Sequence, residues 1–272
     1  MSSEGRIPAV ISIAGSDSGG GAGIQADLKA FARCGVHGMT ALTALTAQST
    51  VGVDSIHPVP PQMVIDQVRV VAEDIGIDAV KTGMLGDAET IEAVVEALGY
   101  TSGAPVVVDP VLVAESGAIL LEPAARAALV ERLLPGATVA TPNLFEAREL
   151  SGLGEDAETV ELARAVQALG PRAVVVTGGH AEDGVDVLYD GEGGGDAVRI
   201  EGPRHPGGAT HGSGCTHSSA LAALLARGES VEGAARRARE VTAAAVGAGL
   251  REIGSGSGPV DVFGLGGDRG DR

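Results

Sequence analysis

The chain has 272 residues, 44% hydrophobic and 20% charged, a balance that supports a buried core and excludes wholesale disorder. Nineteen basic against 36 acidic residues leave a net charge of −17, and Lys29 and Lys81 are the only lysines. No stretch supplies the dense basic face that nucleic acid or an anionic membrane requires, although a few backbone amides can still hold one small anion.

In chain order, short apolar runs predict strands at 9–14, 40–46, 79–82, 106–109, 138–141 and 173–177. Several are continuously apolar and β-branched, as strands covered on both faces are. Between them, 3.6-residue periodicity predicts helices at 24–34, 61–74, 88–98, 123–134 and 158–169. That alternation implies a parallel sheet with helices on both sides. Segments 185–189 and 197–200 flank a Gly-rich stretch from Asp190 to Asp196 and read as a hairpin with a mobile loop. Residues 212–250 read as two helices separated near Gly228-Glu-Ser230. Beyond Gly254 the chain is rich in Gly, Ser and Asp, with a disordered end expected. No long linker divides the chain, so one domain is expected over 1–272.

The run at 7–14 is too short for a membrane span, which needs about 18 unbroken apolar residues. Cys34 and Cys215 are too few for a disulfide framework. A soluble, cytoplasmic protein is expected.

Three segments carry candidate chemistry. Ala14-Gly-Ser-Asp-Ser-Gly-Gly-Gly-Ala-Gly-Ile-Gln-Ala-Asp27 follows the first strand and opens a helix, where unpaired amides can face a ligand. It fits a dinucleotide fingerprint only loosely, because no acid stands about 20 positions on, and no P-loop occurs anywhere. The second segment, Thr210-His-Gly-Ser-Gly-Cys-Thr-His217, opens a small-residue helix. Gly212 and Gly214 would let successive amides form an anion nest, with Cys215 in the first turn, where the helix dipole lowers a thiol pKa. A buried cysteine packed as a small hydrophobe is an equal alternative. In the third, Thr141-Pro-Asn-Leu-Phe-Glu146, Asn143 and Glu146 read as a helix cap, and Glu146 could also hold a water on Mg²⁺. Asp109 ends a parallel strand, where ligands of such sheets bind, although strand-end acids are also common turn residues. His37, His57, His180 and His205 lack the close spacing of a zinc site.

Taken together, these residues resemble the hydroxymethylpyrimidine/phosphomethylpyrimidine kinase family of the ribokinase-like superfamily. The resemblance runs through Ile11-Ser-Ile-Ala-Gly-Ser-Asp17, Gly23-Ile-Gln-Ala-Asp-Leu-Lys29, Thr43-Ala-Leu-Thr-Ala-Gln48 and Lys81-Thr-Gly-Met-Leu85. It continues through Val108-Asp-Pro-Val111, Thr141-Pro-Asn-Leu-Phe-Glu146, Gly178-Gly-His180, His211-Gly-Ser-Gly-Cys-Thr216 and Gly258-Pro-Val260. It implies a three-layer αβα sandwich around a central, mostly parallel sheet, and two phosphoryl transfers from ATP with Mg²⁺, first to the pyrimidine alcohol and then to its monophosphate. By the same resemblance Gly15, Asp27, Gln48 and Met84 would hold the pyrimidine. Gly212, Ser213, Gly214 and Cys215 would serve the transfer, with Cys215 in the catalytic-base position. Asn143, Thr177 and Gly179 would meet the nucleotide, Asp109 and Glu146 would handle Mg²⁺, and a homodimer is implied.

Two positions depart from the family's pattern. Thr177 stands where many relatives carry Lys, which removes a cation near the nucleotide phosphates. Ser213 stands where relatives often carry Thr, which keeps the hydroxyl. Pyridoxal kinase activity is the nearest alternative, and a non-catalytic pyrimidine- or nucleotide-binding regulator is one of another class. Gly214 is expected to tolerate change worse than Cys215 tolerates Ser.

Overall fold

The computed structural model describes residues 5–115, 117–179, 184–191 and 196–267. The strands are β1 (Ala9–Asp17), β2 (His37–Gln48), β3 (Val53–Pro58), β4 (Ala79–Thr82), β5 (Val106–Val108), β6 (Val139–Ala140), β7 (Ala173–Val176), β8 (Asp186–Asp190) and β9 (Val198–Ile200). They form one sheet in the order β3-β2-β1-β4-β5-β6-β7-β8-β9. The six strands from β2 to β7 pair in parallel, and β3, β8 and β9 are antiparallel.

The helices are α1 (Gly23–Arg33), α2 (Pro61–Asp74), α3 (Ala88–Leu98), α4 (Ala125–Ala128), α5 (Leu144–Ser151), α6 (Thr159–Gln167), α7 (Ser213–Ala226) and α8 (Val231–Gly247). Two-residue alternation divides the core between them. Ile11, Ile13, Val80, Val106, Val108 and Val174 face α2–α6. Val10, Ala79, Val107, Val139 and Val175 face α1, α7 and α8. The result is the three-layer arrangement the alternation of elements implies. α7 is buried from Thr216 to Leu224, so it carries no polar stripe, and Ala220, Ala222 and Ala223 let it lie close to the sheet.

Three elements differ from expectation. Residues 123–134 are not one regular helix: α4 widens into a π-turn at Leu129–Leu133 and tightens into a 3₁₀ turn at Leu134–Gly136. Pro135 explains this, because it has no N–H for the preceding turn and its ring crowds the carbonyl four residues back. β3 lies where no strand is predicted, as an exposed edge with little apolar pattern. α5 is new as an element, although its capping box is the one expected of Asn143 and Glu146.

The expected loop at 190–196 and the expected disordered end fall partly outside the described residues, at 192–195 and 268–272, as does His180. The rest of the Gly-rich tail is docked. His211 donates its N–H to the Gly258 carbonyl, the Val260 N–H donates to the His211 carbonyl, and the Leu250 N–H to the Pro259 carbonyl. Val260 and Val262 are buried.

The chain order reverses at β1, which pairs with β2 on one side and β4 on the other. Ligands of open α/β sheets bind beyond the carboxyl ends of the strands at such a switch point.

Candidate active site

A cavity of about 710 Å³ opens at that point. The carboxyl ends of β1, β4 and β5 bring Gly15, Met84 and Asp109 to its wall, and the start of α7 brings Gly212, Ser213, Gly214 and Cys215. Gln48, Asn143, Glu146, Thr177 and Gly179 line it as well.

The two Gly-rich segments meet at its rim. Gly212 is left-handed (φ 82°), and a Cβ placed there would stand 1.8 Å from the Gly21 carbonyl oxygen. The Gly23 amide faces the Cys215 thiol and favours its charged form. No side chain caps α7; its Ser213 N–H is taken by the Thr210 carbonyl at 2.9 Å, which leaves the Gly214 and Cys215 amides for an anion. Gly214 differs from Gly212, because nothing lies within 4 Å of a Cβ there. A methyl at 214 would therefore occupy cavity space without disturbing the protein.

The first Gly-rich turn does not offer its amides to a ligand as expected. Asp17 occupies them: its carboxylate accepts from the N–H groups of Gly19 (2.7 Å), Gly21 (3.0 Å) and Ala22 (2.8 Å). His211 Nε2 lies 3.1 Å from the same carboxylate. Burial opposes the charge, yet these hydrogen bonds hold Asp17 below the usual carboxylate range. His211 is pushed up to about 9 by its bond to Asp17 and by the Glu115 carboxylate 3.8 Å from Nδ1. An internal anion thus braces the turn.

Beneath the cavity floor a charged network fills the α1–α7 face of the sheet. Lys81 and Asp27 are 0% exposed, with Lys81 Nζ 2.9 and 3.1 Å from the two Asp27 oxygens. Ser12 and Ser219 also donate to Asp27. Asp27 is therefore set apart from Gly15, Gln48 and Met84: it does not line the cavity and its oxygens are already bonded. Its place is to hold Lys81, whose ammonium also stands 3.8 Å from Asp109. Burial would lower Lys81, but the charge of Asp27 foremost, with that of Asp109, outweighs it and holds the ammonium above its ordinary value.

The expectation of a lowered Cys215 thiol is not met in the free protein. Burial pushes it up to about 12, Asp27 and Asp109 push the same way, and Lys81 and the Gly23 amide oppose them only in part. The dipole rule considers one helix, whereas burial, helped by two carboxylates from other elements, decides the outcome.

Asp109 and Glu146 form a strained acidic pair. Asp109 is raised chiefly by burial, against Lys81 and a 2.9 Å bond from Ser218 Oγ. Glu146 is raised to about 8 by burial and then by the Asp109 charge. It remains the reciprocal cap of α5, bonded by the Asn143 N–H at 2.9 Å. Two repelling carboxylates on one cavity wall suit a hydrated divalent cation, which would relieve both shifts. Among the described residues no group of three or more His, Cys, Asp or Glu is placed to hold a metal.

The Glu146 shift makes a prediction. Between its ordinary value of 4.5 and about 8 the folded protein keeps a proton that the unfolded chain has released, so stability falls as pH rises through that window. Glu146→Gln can keep the bond accepted from the Asn143 N–H through its one carbonyl oxygen, gives up the long one from Leu112, and removes the titration. Its melting temperature in chelator should therefore decline less from pH 5 to 8 than that of the unaltered protein. Parallel declines would refute the assignment.

Sequence reasoning singled out neither Lys81 nor Asp17, Ser218 and Ser219 as site residues. A lysine inside the apolar run Ala79-Val-Lys81-Thr82 was the available signal, since a charge in a buried strand needs a partner.

The phosphomethylpyrimidine kinase family model matches residues 17–261. A hydroxymethylpyrimidine/phosphomethylpyrimidine kinase of Streptomyces coelicolor is 50% identical over 257 residues, covering 93% of this chain and 94% of the relative. Among solved structures, a pyridoxal kinase from Staphylococcus aureus in complex with ADP superposes with TM-score 0.85 at 36% identity, over 96% of this chain and 95% of that one. A phosphomethylpyrimidine kinase from Clostridium difficile superposes with TM-score 0.74, also at 36% identity, over 86% of this chain and 97% of that one. With the Gly-rich segments meeting at one cavity and the match spanning nearly the whole chain, this protein belongs to the phosphomethylpyrimidine kinase family.

Proposed function

We propose that this protein transfers the γ-phosphoryl group of ATP to 4-amino-5-hydroxymethyl-2-methylpyrimidine, then phosphorylates the monophosphate to the diphosphate, as thiamine biosynthesis requires. The observation that carries this is the meeting of residues 212–215 with the turn at 21–23 on one cavity, in a chain whose relatives bear that activity's name.

In this reading the Gly214 and Cys215 amides receive charge on the transferring phosphoryl oxygens, and Ser213 and Gly212 shape the nest. Gln48 presents its amide to the aminopyrimidine edge, and Met84, packed beside Gly15, offers its thioether to the ring face. Asn143, Thr177 and Gly179 border the nucleotide. Asp109 and Glu146 would hold Mg²⁺, which supplies charge neutralisation at the phosphate oxygens when bound. Asp27 acts through Lys81, fixing its ammonium at the cavity floor.

Cys215 is the group positioned to take the hydroxyl proton, but in the free protein the thiol is almost wholly protonated. Neutralising the neighbouring Asp109 charge lowers that barrier. Phosphoryl transfer through a loose transition state needs mainly positioning and charge stabilisation, so the amides matter more than the thiol. Cys215→Ser is accordingly expected to lose less turnover than Gly214→Ala, both with unchanged melting temperature. A dead Ser variant beside a healthy Ala variant would reverse this ordering.

Product identification after incubation with ATP, Mg²⁺ and the pyrimidine alcohol tests the function. Monophosphate followed by diphosphate supports it. Phosphorylation of pyridoxal alone would move the assignment to the activity of the Staphylococcus aureus neighbour, and pyrimidine binding without ATP consumption would make the protein a binding regulator. A homodimer is proposed on the family resemblance alone. The free thiols of Cys34 and Cys215 suit the reducing cytoplasm, where the reaction is placed.

A further inference from the structure

The cavity wall carries a second polar cluster that the phosphoryl chemistry leaves unused. Asp186 at the start of β8, His217 on α7 and Arg239 on α8 are each buried, and each lines the cavity. The cluster is anchored on its outer side. The Gly178 N–H donates to Asp186 Oδ1 at 2.8 Å, and Arg239 Nη2 donates to the Gly184 carbonyl at 2.6 Å. The inner side is open. His217 Nε2 stands 3.4 Å from Asp186 Oδ2 without hydrogen-bonding alignment, and Arg239 Nε stands 4.0 Å from it.

Among the described residues, Asp186 Oδ2, both His217 ring nitrogens and Arg239 Nε are therefore buried without a hydrogen-bond partner. Leaving such a group unpaired is costly, and native proteins rarely gather several in one place without a reason. Position supplies the reason. His217 lies two residues beyond Cys215, near the positive end of α7, and Gly178, which holds Asp186, adjoins Thr177. Burial opposes the Asp186 charge, but His217, the Gly178 amide and Arg239 keep the carboxylate ionised, able to orient the imidazole.

We propose that His217, oriented by Asp186 and joined by Arg239 Nε, donates to the phosphate chain of the bound nucleotide. The proposal rests on the reading that ATP occupies this cavity with its γ-phosphoryl group at α7. The open donors are thereby satisfied only in the complex, and the protein recognises the nucleotide by completing its own network.

His217→Leu removes both nitrogens while roughly keeping the volume, and His217→Gln keeps one N–H donor. For the Leu variant, calorimetry should show ADP and inorganic pyrophosphate bound about tenfold more weakly, with a matching rise in KM for ATP. Its kcat, its KM for the pyrimidine and competitive inhibition by adenosine should stay within about twofold of the unaltered protein. The Gln variant should recover most of the ADP affinity. Unchanged ADP and pyrophosphate binding by a folded Leu variant would overturn the proposal, as would an equal loss for adenosine. Val246→Trp, filling the same cavity from α8, should abolish ADP binding. Should it fail to, the nucleotide lies elsewhere and the underlying site reading falls, whatever His217 does.

Discussion

Lys81→Met is expected to destabilise the protein by about 3–5 kcal/mol and to abolish turnover. The pair it forms with Asp27 has no exposed surface, so removing the ammonium leaves a buried carboxylate with only Ser12 and Ser219 for company. For a chain of this size the melting temperature should fall by about 10 °C. The double variant Lys81→Met with Asp27→Leu removes both charges and should recover most of that loss. It should not recover turnover, because the cavity floor then lacks its only lysine, the one facing Asp109 and Cys215. Calorimetric melts of the two variants, read beside phosphorylation assays, separate charge burial from chemistry. A single variant that melts within about 2 °C of the unaltered protein would show that the pair is dispensable.

Gly212→Ala should be the most damaging small substitution at the nest. The residue is left-handed, and the new methyl would collide with the Gly21 backbone rather than with a movable side chain. Either the start of α7 or the first Gly-rich turn must shift, so the amides miss the phosphoryl group. Losing one such donor costs on the order of 10²–10³ in turnover in other enzymes. The backbone strain adds roughly 1–3 kcal/mol of instability. Gly214→Ala is the control, since its methyl meets open space: stability should hold while turnover falls. Equal stability and activity in both variants would contradict the proposed geometry. Of the two nest glycines, which spacing alone does not rank, the structure makes 212 the sterically critical one.

Much of the fold is legible because local pattern and tertiary burial agree. Val106-Val-Val108 is apolar at every position, and helices cover both faces of the sheet there. The α5 start is legible as a cap because Asn143 and Glu146 satisfy each other's backbone within one turn. β3 is illegible for the opposite reason: an edge strand that buries little needs no apolar alternation, and Asp54, Ser55 and His57 show none. In the site, the nest could be read from Gly spacing and the Asp109–Glu146 pair from position. The Asp27–Lys81 pair could not, because its members come from α1 and β4 and acquire meaning only when the sheet closes. The Cys215 thiol was misjudged because the burial that raises it most, with the Asp27 and Asp109 charges that add to it, arises only when distant segments fold together.

The docking of Gly258 and Val260 on the two backbone groups of His211 has a temporal consequence. Every strand of the sheet can pair before those residues arrive, yet His211, which braces the Asp17 turn, is clamped only afterwards. Architecture and competence are thus acquired in succession, and a newly made molecule can be shaped like a kinase before it is able to act as one.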